Sequence, residues 1–68
     1  MRLFKELTER EEEVLVYLSM GQSNPQIASQ LSISTHTVHN HTKSIFKKLN
    51  VRGRGPASLL YWQKKTTT

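Results

Sequence analysis

The side chains that could do chemistry form one strip in the second half of the chain. They are cationic or hydrogen-bonding, and at about 100° per residue of an α-helix they fall within about 100° of one another. No apolar or acidic residue falls among them. Imidazole, amide and ammonium groups can all donate hydrogen bonds, so this face suits a polyanionic ligand. The members of this polar strip are His36, His39, Asn40, Lys43 and Lys47.

The charge of the whole chain favours the same class of ligand. The 68 residues contain 10 Lys and Arg against 5 Asp and Glu, a net charge of +5, and the isoelectric point is near 10.0. Residues 1–34 hold three basic and five acidic residues, a net charge of −2, whereas residues 35–68 hold seven basic residues and no acid. The second half of the chain is therefore the candidate binding region.

Other classes of protein fit the sequence poorly. Without cysteine there is no disulfide framework, and we expect a reducing, cytoplasmic compartment. No apolar stretch approaches the roughly 18 residues of a membrane span, and no signal-peptide core is present. We find no nucleophile with a neighbouring base and no phosphate loop, so we expect neither an enzyme nor a cofactor. His41 points away from His36 and His39, and with no Cys or Asp we expect no metal site.

The first helix has clear start and stop signals. Thr8 and Glu11 have the spacing of a capping box, and Gly21 can adopt a left-handed stop, which predicts a helix over about residues 9–20. The acids in its first turns suit the positive end of the helix dipole. One face of this helix gathers Glu11, Val14, Leu15 and Leu18, so the carboxylate there needs a partner.

Two further helices follow at close spacing. Ser23 and Gln26 repeat the capping-box pattern around Pro25 and predict a short second helix with Ile27, Ala28 and Leu31 inside. Ser34 can cap a third helix over about residues 35–49, roughly 22 Å long. Its predicted core side carries Val38, Thr42, Ile45 and Leu49, with His41 and Phe46 on its shoulders.

The last predicted element is a short fourth helix that starts near Pro56. It carries four bulky residues in succession, and a single helix cannot bury all of them inside a domain of this size. No segment alternates apolar and polar residues with the period of two that indicates a strand, and every predicted element is a helix. We therefore expect an all-α fold. We expect one domain over residues 7–63, with a flexible segment at 1–6 and a frayed tail at 64–68. The four bulky residues are Leu59, Leu60, Tyr61 and Trp62.

Four blocks of the sequence together resemble the LuxR-type (GerE/NarL-like) helix-turn-helix DNA-binding domain. They occur in the order and at the spacing of that family, over about residues 7–62, which makes the resemblance specific. The blocks are Leu7 to Leu15, Gly21 to Ala28, Ser34 to His41, and Lys48 to Val51 with Arg54.

The resemblance implies a four-helix bacterial, cytoplasmic transcriptional regulator whose third helix enters the major groove of double-stranded DNA. Carried over residue by residue, the base-reading positions are His39, Asn40 and Lys43. Position 39 is frequently Lys or Arg in the family, and an imidazole there can donate or accept. Candidates for phosphate contact are Ser34, Thr35, Thr37, Asn24, Gln26, Lys47 and Arg52.

Family members often dimerise through the fourth helix, so the resemblance implies a homodimer interface at Leu59, Leu60, Tyr61 and Trp62. The domain usually follows a sensing domain, and we therefore expect either a stand-alone regulator similar to GerE or an excised effector domain. An alternative is a small interaction module that forms mixed dimers with a full-length LuxR-type regulator and thereby controls it.

The sequence leaves two interpretations of Arg54 open. We expect Glu11 to form a buried pair with Arg54, which would tie the first helix to the loop after the third. Arg54 could contact phosphate instead.

Overall fold

The computed structural model describes residues 3–67 as four α-helices, and this range contains no strand. The helices are α1 (Glu9–Ser19), α2 (Asn24–Leu31), α3 (Thr35–Leu49) and α4 (Arg54–Thr67). The predicted all-α class is confirmed.

Local sequence signals set the ends of α1. The Thr8 hydroxyl accepts from the backbone N–H of Glu11 at 3.1 Å, and the Glu11 carboxylate accepts from the backbone N–H of Thr8 at 2.9 Å. This reciprocal capping box is the predicted one. Beyond Met20, Gly21 has φ +86°, the left-handed conformation that ends the helix without steric cost.

Hydroxyl caps also start α2 and α3. Ser23 and Gln26 form the second predicted capping box, and the Ser34 hydroxyl accepts from the backbone N–H of Thr37 at 3.0 Å. Between the helices Ser32 adopts a left-handed conformation with φ 57°, where glycine is the usual residue. The turn of the helix-turn-helix therefore forms with a serine.

The core lies where α1 packs against α3 and α4, while α2 packs mainly against α3. All four helices and the segment before α1 contribute apolar side chains to it, so one continuous core positions α3. Its buried apolar members are Phe4, Leu7, Val14, Leu15, Leu18, Ile27, Ala28, Val38, Ile45, Ala57 and Tyr61.

Glu11 pairs with α3, and the predicted pairing with Arg54 is wrong. The carboxylate of Glu11 accepts from the Lys48 ammonium at 2.8 Å and from the Ser44 hydroxyl at 2.7 Å. Arg54 instead donates to the backbone carbonyl of Gln22. The reason is that Ser44 and Lys48 lie where α3 passes the start of α1, whereas the guanidinium of Arg54 is held at Gln22, beyond the other end of α1. We call Glu11, Ser44 and Lys48 the carboxylate brace.

Packed structure is present near both ends of the described range. Phe4 is buried, and the carboxylate of Glu12 accepts from the backbone N–H groups of Leu3 and Phe4 at 3.0–3.2 Å. Burial of an aromatic ring and pairing of its backbone therefore extend the packed structure into residues 3–6. The remaining residues of the expected flexible ends, 1, 2 and 68, lie outside the described range.

The fourth helix is longer than the sequence indicated. It begins two residues before Pro56 and continues to Thr67, so it includes most of the expected tail. The ammonium of Lys64 lies 4.8 Å from the centre of the Phe4 ring, and that of Lys65 lies 5.2 Å from the Trp62 ring. Such cation–π contacts, which sequence spacing does not reveal, favour the continued helix.

Candidate nucleic-acid interface

The polar strip lies on the solvent side of α3. Every one of its five side chains is exposed, while the opposite side of the helix buries Val38, Thr42 and Ile45. Packing of that apolar side against α1 and α2 fixes which way the strip faces. The sequence predicts that α3 has an exposed polar side and a buried apolar side, and the fold shows both.

In the described part of the chain, the lysines of the strip have no carboxylate partner. Within residues 3–67, neither Lys43 nor Lys47 forms an ion pair. All acidic residues of the chain lie between Glu6 and Glu13, in and before α1. Uncompensated ammonium groups on one exposed face create a local positive potential that attracts polyanions.

The first turn of α3 presents hydroxyl groups beside the strip. Thr35 is exposed, and the Ser34 and Thr37 hydroxyl oxygens share a hydrogen bond of 2.8 Å. That bond uses one of their two protons, so the other remains able to donate to a ligand. The amino end of a helix also favours anions, which makes this turn suitable for phosphate contact.

The two α2 residues predicted to contact phosphate, Asn24 and Gln26, lie in different environments. Gln26 is exposed, but its carbonyl oxygen accepts from the backbone N–H of Ser23 at 2.8 Å. Its amide NH₂ group remains as a donor. Asn24, in the first turn of α2, is half-buried and lines an open depression beside α3.

Two arginines follow α3 and both are exposed. Arg52 was a candidate from sequence. Arg54 lines the same depression as Asn24, His39 and Lys43, although sequence reasoning assigned it mainly to a brace with Glu11. Its place beside the strip arises from the packing of α4, and no local sequence signal reports such a placement.

The candidate dimer surface contains residues with different environments. Leu59 is 60% exposed and Trp62 is 42% exposed, whereas Leu60 is partly buried and Tyr61 is only 5% exposed. Tyr61 therefore belongs to the core of its own domain and offers little surface to a partner. The Trp62 indole N–H donates to the Ser19 carbonyl at 3.1 Å.

An exposed methionine near this surface was not recognised from the sequence. Met20, 60% exposed, follows Ser19 at the end of α1. The indole hydrogen bond to Ser19 thus brings Trp62 close to Met20, and Leu59 lies one turn before Trp62 on α4. We call Met20, Leu59 and Trp62 the apolar patch.

The described part of the chain contains neither a cluster of metal ligands nor a helix that could span a membrane. Across residues 3–67, His, Asp and Glu side chains nowhere gather in threes as a metal ion would require. The helices of this range are also too short or too polar for any of them to span a bilayer.

Comparisons with known proteins identify a family. Residues 5–60 match the model of the luxR family of bacterial regulatory proteins. The nitrate/nitrite response regulator protein NarP of Escherichia coli is 50% identical over 62 residues, which cover 91% of this chain and 29% of NarP.

Two relatives from other bacteria show the same coverage pattern. The transcriptional regulatory protein LnrK of Bacillus subtilis is 48% identical over 54 residues, 79% of this chain and 24% of LnrK. The response regulator protein VraR of Staphylococcus aureus is 41% identical over 61 residues, 90% of this chain and 29% of VraR. The chain thus spans less than a third of the length of each relative.

Proposed function

The chain belongs to the luxR family of bacterial regulatory proteins, and from this premise we propose that it is a transcriptional regulator that inserts α3 into the major groove of double-stranded DNA. The relatives, named as transcriptional or response regulators, support the role, and the bacterial cytoplasm is the compartment in which it would act.

One observation carries the proposal: α3 exposes a strip of donors and cations that no acid of the described chain neutralises. The major groove is about 12 Å wide and admits one α-helix. A helix of 15 residues is roughly 22 Å long, so it can lie in the groove while its other side stays packed on α1 and α2.

The strip divides into groups with different tasks. Asn40 can pair bidentately with adenine, and Lys43 can donate to guanine, with His39 assisting beside them. These three residues would read base edges, because they occupy the exposed middle of the strip. Phosphate contacts would position the helix without reading sequence. They would come from Ser34, Thr35, Thr37, Asn24, Gln26, Lys47 and Arg52.

We further propose that two copies bind a two-fold-related DNA site through the apolar patch. Exposed Leu59 and Trp62 lie on α4, and exposed Met20 follows α1 near them. Burial of such side chains against a second copy would remove apolar surface from water. A symmetric dimer would then place two α3 helices on successive turns of the duplex.

The Lys43→Ala variant tests the reading of DNA. We expect it to lose discrimination between a selected target duplex and a scrambled duplex, by a factor that corresponds to about 1–3 kcal/mol. The control is Lys5→Ala, because Lys5 is exposed before α1 and outside the strip. Unchanged affinities for both duplexes in Lys43→Ala would show that α3 is docked differently.

A second measurement tests groove binding itself. Each phosphate that the protein neutralises releases counterions, so the observed binding constant should fall steeply as salt rises. A binding constant that does not respond to salt would contradict the proposal.

The second candidate function is an interaction module that forms mixed dimers with a longer regulator of the same family. The apolar patch supports it, because a related subunit could cover Met20, Leu59 and Trp62 in place of an identical one. Gel filtration of the chain with and without a full-length family member, beside DNA binding by the chain alone, separates the two functions. Preferential mixed dimers with no DNA binding by the chain would favour this second function.

A further inference from the structure

An open depression of about 190 Å³ lies beside the polar strip where parts of all four helices meet. Buried Leu18 and half-buried Phe46 form part of its apolar lining. Its polar lining comes from three different helices, so the packed fold, and no single element, creates it. The polar residues are Asn24 of α2, His39, Thr42 and Lys43 of α3, and Arg54 of α4; the Thr42 hydroxyl already donates to the His39 carbonyl.

Arg54 has donors to spare. One of its guanidinium nitrogens donates to the backbone carbonyl of Gln22, a neutral acceptor. Within residues 3–67 it forms no ion pair. A guanidinium carries five N–H donors in a rigid fork, so a charged group with several unused donors remains at this depression.

The bond to Gln22 uses only part of what Arg54 offers. Its positive charge is favourable just beyond the carboxyl end of α1, but the bond occupies one of five guanidinium donors, and within residues 3–67 no carboxylate pairs with the others. The same carbonyl does, however, hold the guanidinium in place at the depression. An anchored fork beside Lys43 and His39 is the arrangement that recognises a tetrahedral anion, since Arg matches phosphate with two parallel N–H bonds.

We propose that this depression, the phosphate seat, binds one phosphate of the DNA backbone, with Arg54 as its principal ligand and the Asn24 amide as a second donor. The proposal rests on the DNA-binding function proposed above and adds a residue to its phosphate contacts. His39 and Lys43 belong both to the seat and to the polar strip. A phosphate held there would therefore fix how far α3 is rotated in the groove and so which bases the strip meets.

The size of the depression is compatible with this ligand. A water molecule occupies about 30 Å³ in the liquid, so a space of about 190 Å³ accommodates a phosphate group with some of its hydration. The seat is open, as it must be for a phosphate that remains part of a DNA strand.

The Arg54→Gln variant is the main test. Because phosphate contacts carry no sequence information, we expect the affinities for target and scrambled duplexes to fall by the same factor, roughly tenfold. The plot of log binding constant against log salt should become shallower by about one ion. The matched control is Arg10→Gln, since Arg10 is exposed on α1 and pairs there with Glu13 at 3.6 Å. It should leave affinity and salt slope unchanged.

Two results would overturn the seat. An unchanged salt slope in Arg54→Gln would leave Arg54 only its bond to Gln22. A loss confined to the target duplex would make Arg54 a base reader instead.

A measurement on the wild-type chain covers the case in which Arg54→Gln does not fold. Inorganic phosphate is titrated against chloride at equal ionic strength while the side-chain N–H signals of Arg54 and Arg10 are followed by NMR. We expect the Arg54 signal to shift and the Arg10 signal to stay; no shift at Arg54 overturns the seat. If the wild-type chain binds no duplex, the proposed function fails, and an Arg54 shift then identifies a free-anion site and overturns the DNA seat.

Discussion

Lys47 and Lys48 are neighbours in the chain, yet the fold gives them opposite surroundings. Lys48 lies on the flank of α3 that faces α1 and donates to the Glu11 carboxylate at 2.8 Å. Lys47 lies on the polar strip and forms no ion pair within residues 3–67. One helix therefore carries both a neutralised and an unneutralised cation, separated by about 100° of rotation.

The difference shows how a small basic domain keeps its binding face positive. The acids are confined to residues 6–13; Glu11 forms the brace and the capping box of α1, and Glu12 accepts from the backbone of the segment before it. The polar strip lies on the other side of α3 and meets none of them. Separation of the acidic and basic groups by the core is thus a property of the fold. Substitutions in the brace and in the polar strip can each test it.

The largest expected effect comes from removal of the brace. Glu11→Gln leaves the Lys48 ammonium without its carboxylate and weakens the bond from Ser44. We expect the free energy of unfolding to fall by about 2–3 kcal/mol, less than for a fully buried pair, because Lys48 is 36% exposed and can turn to water. Urea unfolding measures it. DNA affinity per folded molecule should stay the same. A stable variant with lost DNA affinity would contradict the separation of the brace from the DNA-binding side of α3.

The pH dependence of stability comes second. Burial alone would raise the pKa of Glu11. Hydrogen bonds from the Lys48 ammonium, the Thr8 backbone N–H and the Ser44 hydroxyl, together with the charge of Lys48, outweigh burial and lower the pKa of Glu11 from 4.5 to about 2. A folded-state pKa below the unfolded one contributes stability above pH 4.5 that disappears as pH falls toward 2.

The stability lost through Glu11 should be about 2 kcal/mol after allowance for water around Lys48. Unfolding free energies of wild type and Glu11→Gln, measured between pH 6 and the acid range, should therefore converge as pH falls. Parallel curves would show that the carboxylate does not titrate as the brace requires.

Whether a feature of the fold could be predicted from the sequence depends on how far apart in the chain its interacting residues lie. The capping boxes at Thr8 and Ser23 and the buried side of α3 follow from spacing, because a helix fixes its own neighbours. The partner of Glu11 does not follow, since Lys48 is 37 residues away and reaches it only after α1 has packed on α3.

The candidate site divides in the same way. Exposure of the polar strip is a local property of one amphipathic helix, and the sequence predicts it. Arg54 at the depression and Tyr61 in the core depend on how α4 packs, which neither residue type nor spacing determines. Burial of Phe4 likewise depends on Glu12, which accepts from the backbone before α1.

The third effect compares the neighbouring lysines directly. Lys47→Ala should weaken binding to any duplex by about 1 kcal/mol and make the salt slope shallower by about one ion, with little change in stability. Lys48→Ala should do the reverse, lowering the free energy of unfolding by about 1–2 kcal/mol and leaving the salt slope unchanged. Binding titrations at several salt concentrations, paired with urea unfolding, check both. Equal effects of the two substitutions on DNA binding would remove the distinction between the two sides of α3.

The smallest effect is expected at Glu13, an exposed acid of α1, and it sets the scale for the others. Glu13 pairs with Arg10 at 3.6 Å, and both side chains are roughly half exposed. Water already solvates this pair, so Glu13→Gln should change the free energy of unfolding by less than about 0.5 kcal/mol. Glu11 and Glu13 share a helix and a charge, and differ in burial and in their partners. A loss at Glu13 as large as that at Glu11 would mean that the total negative charge of α1, rather than the geometry of the brace, stabilises the fold.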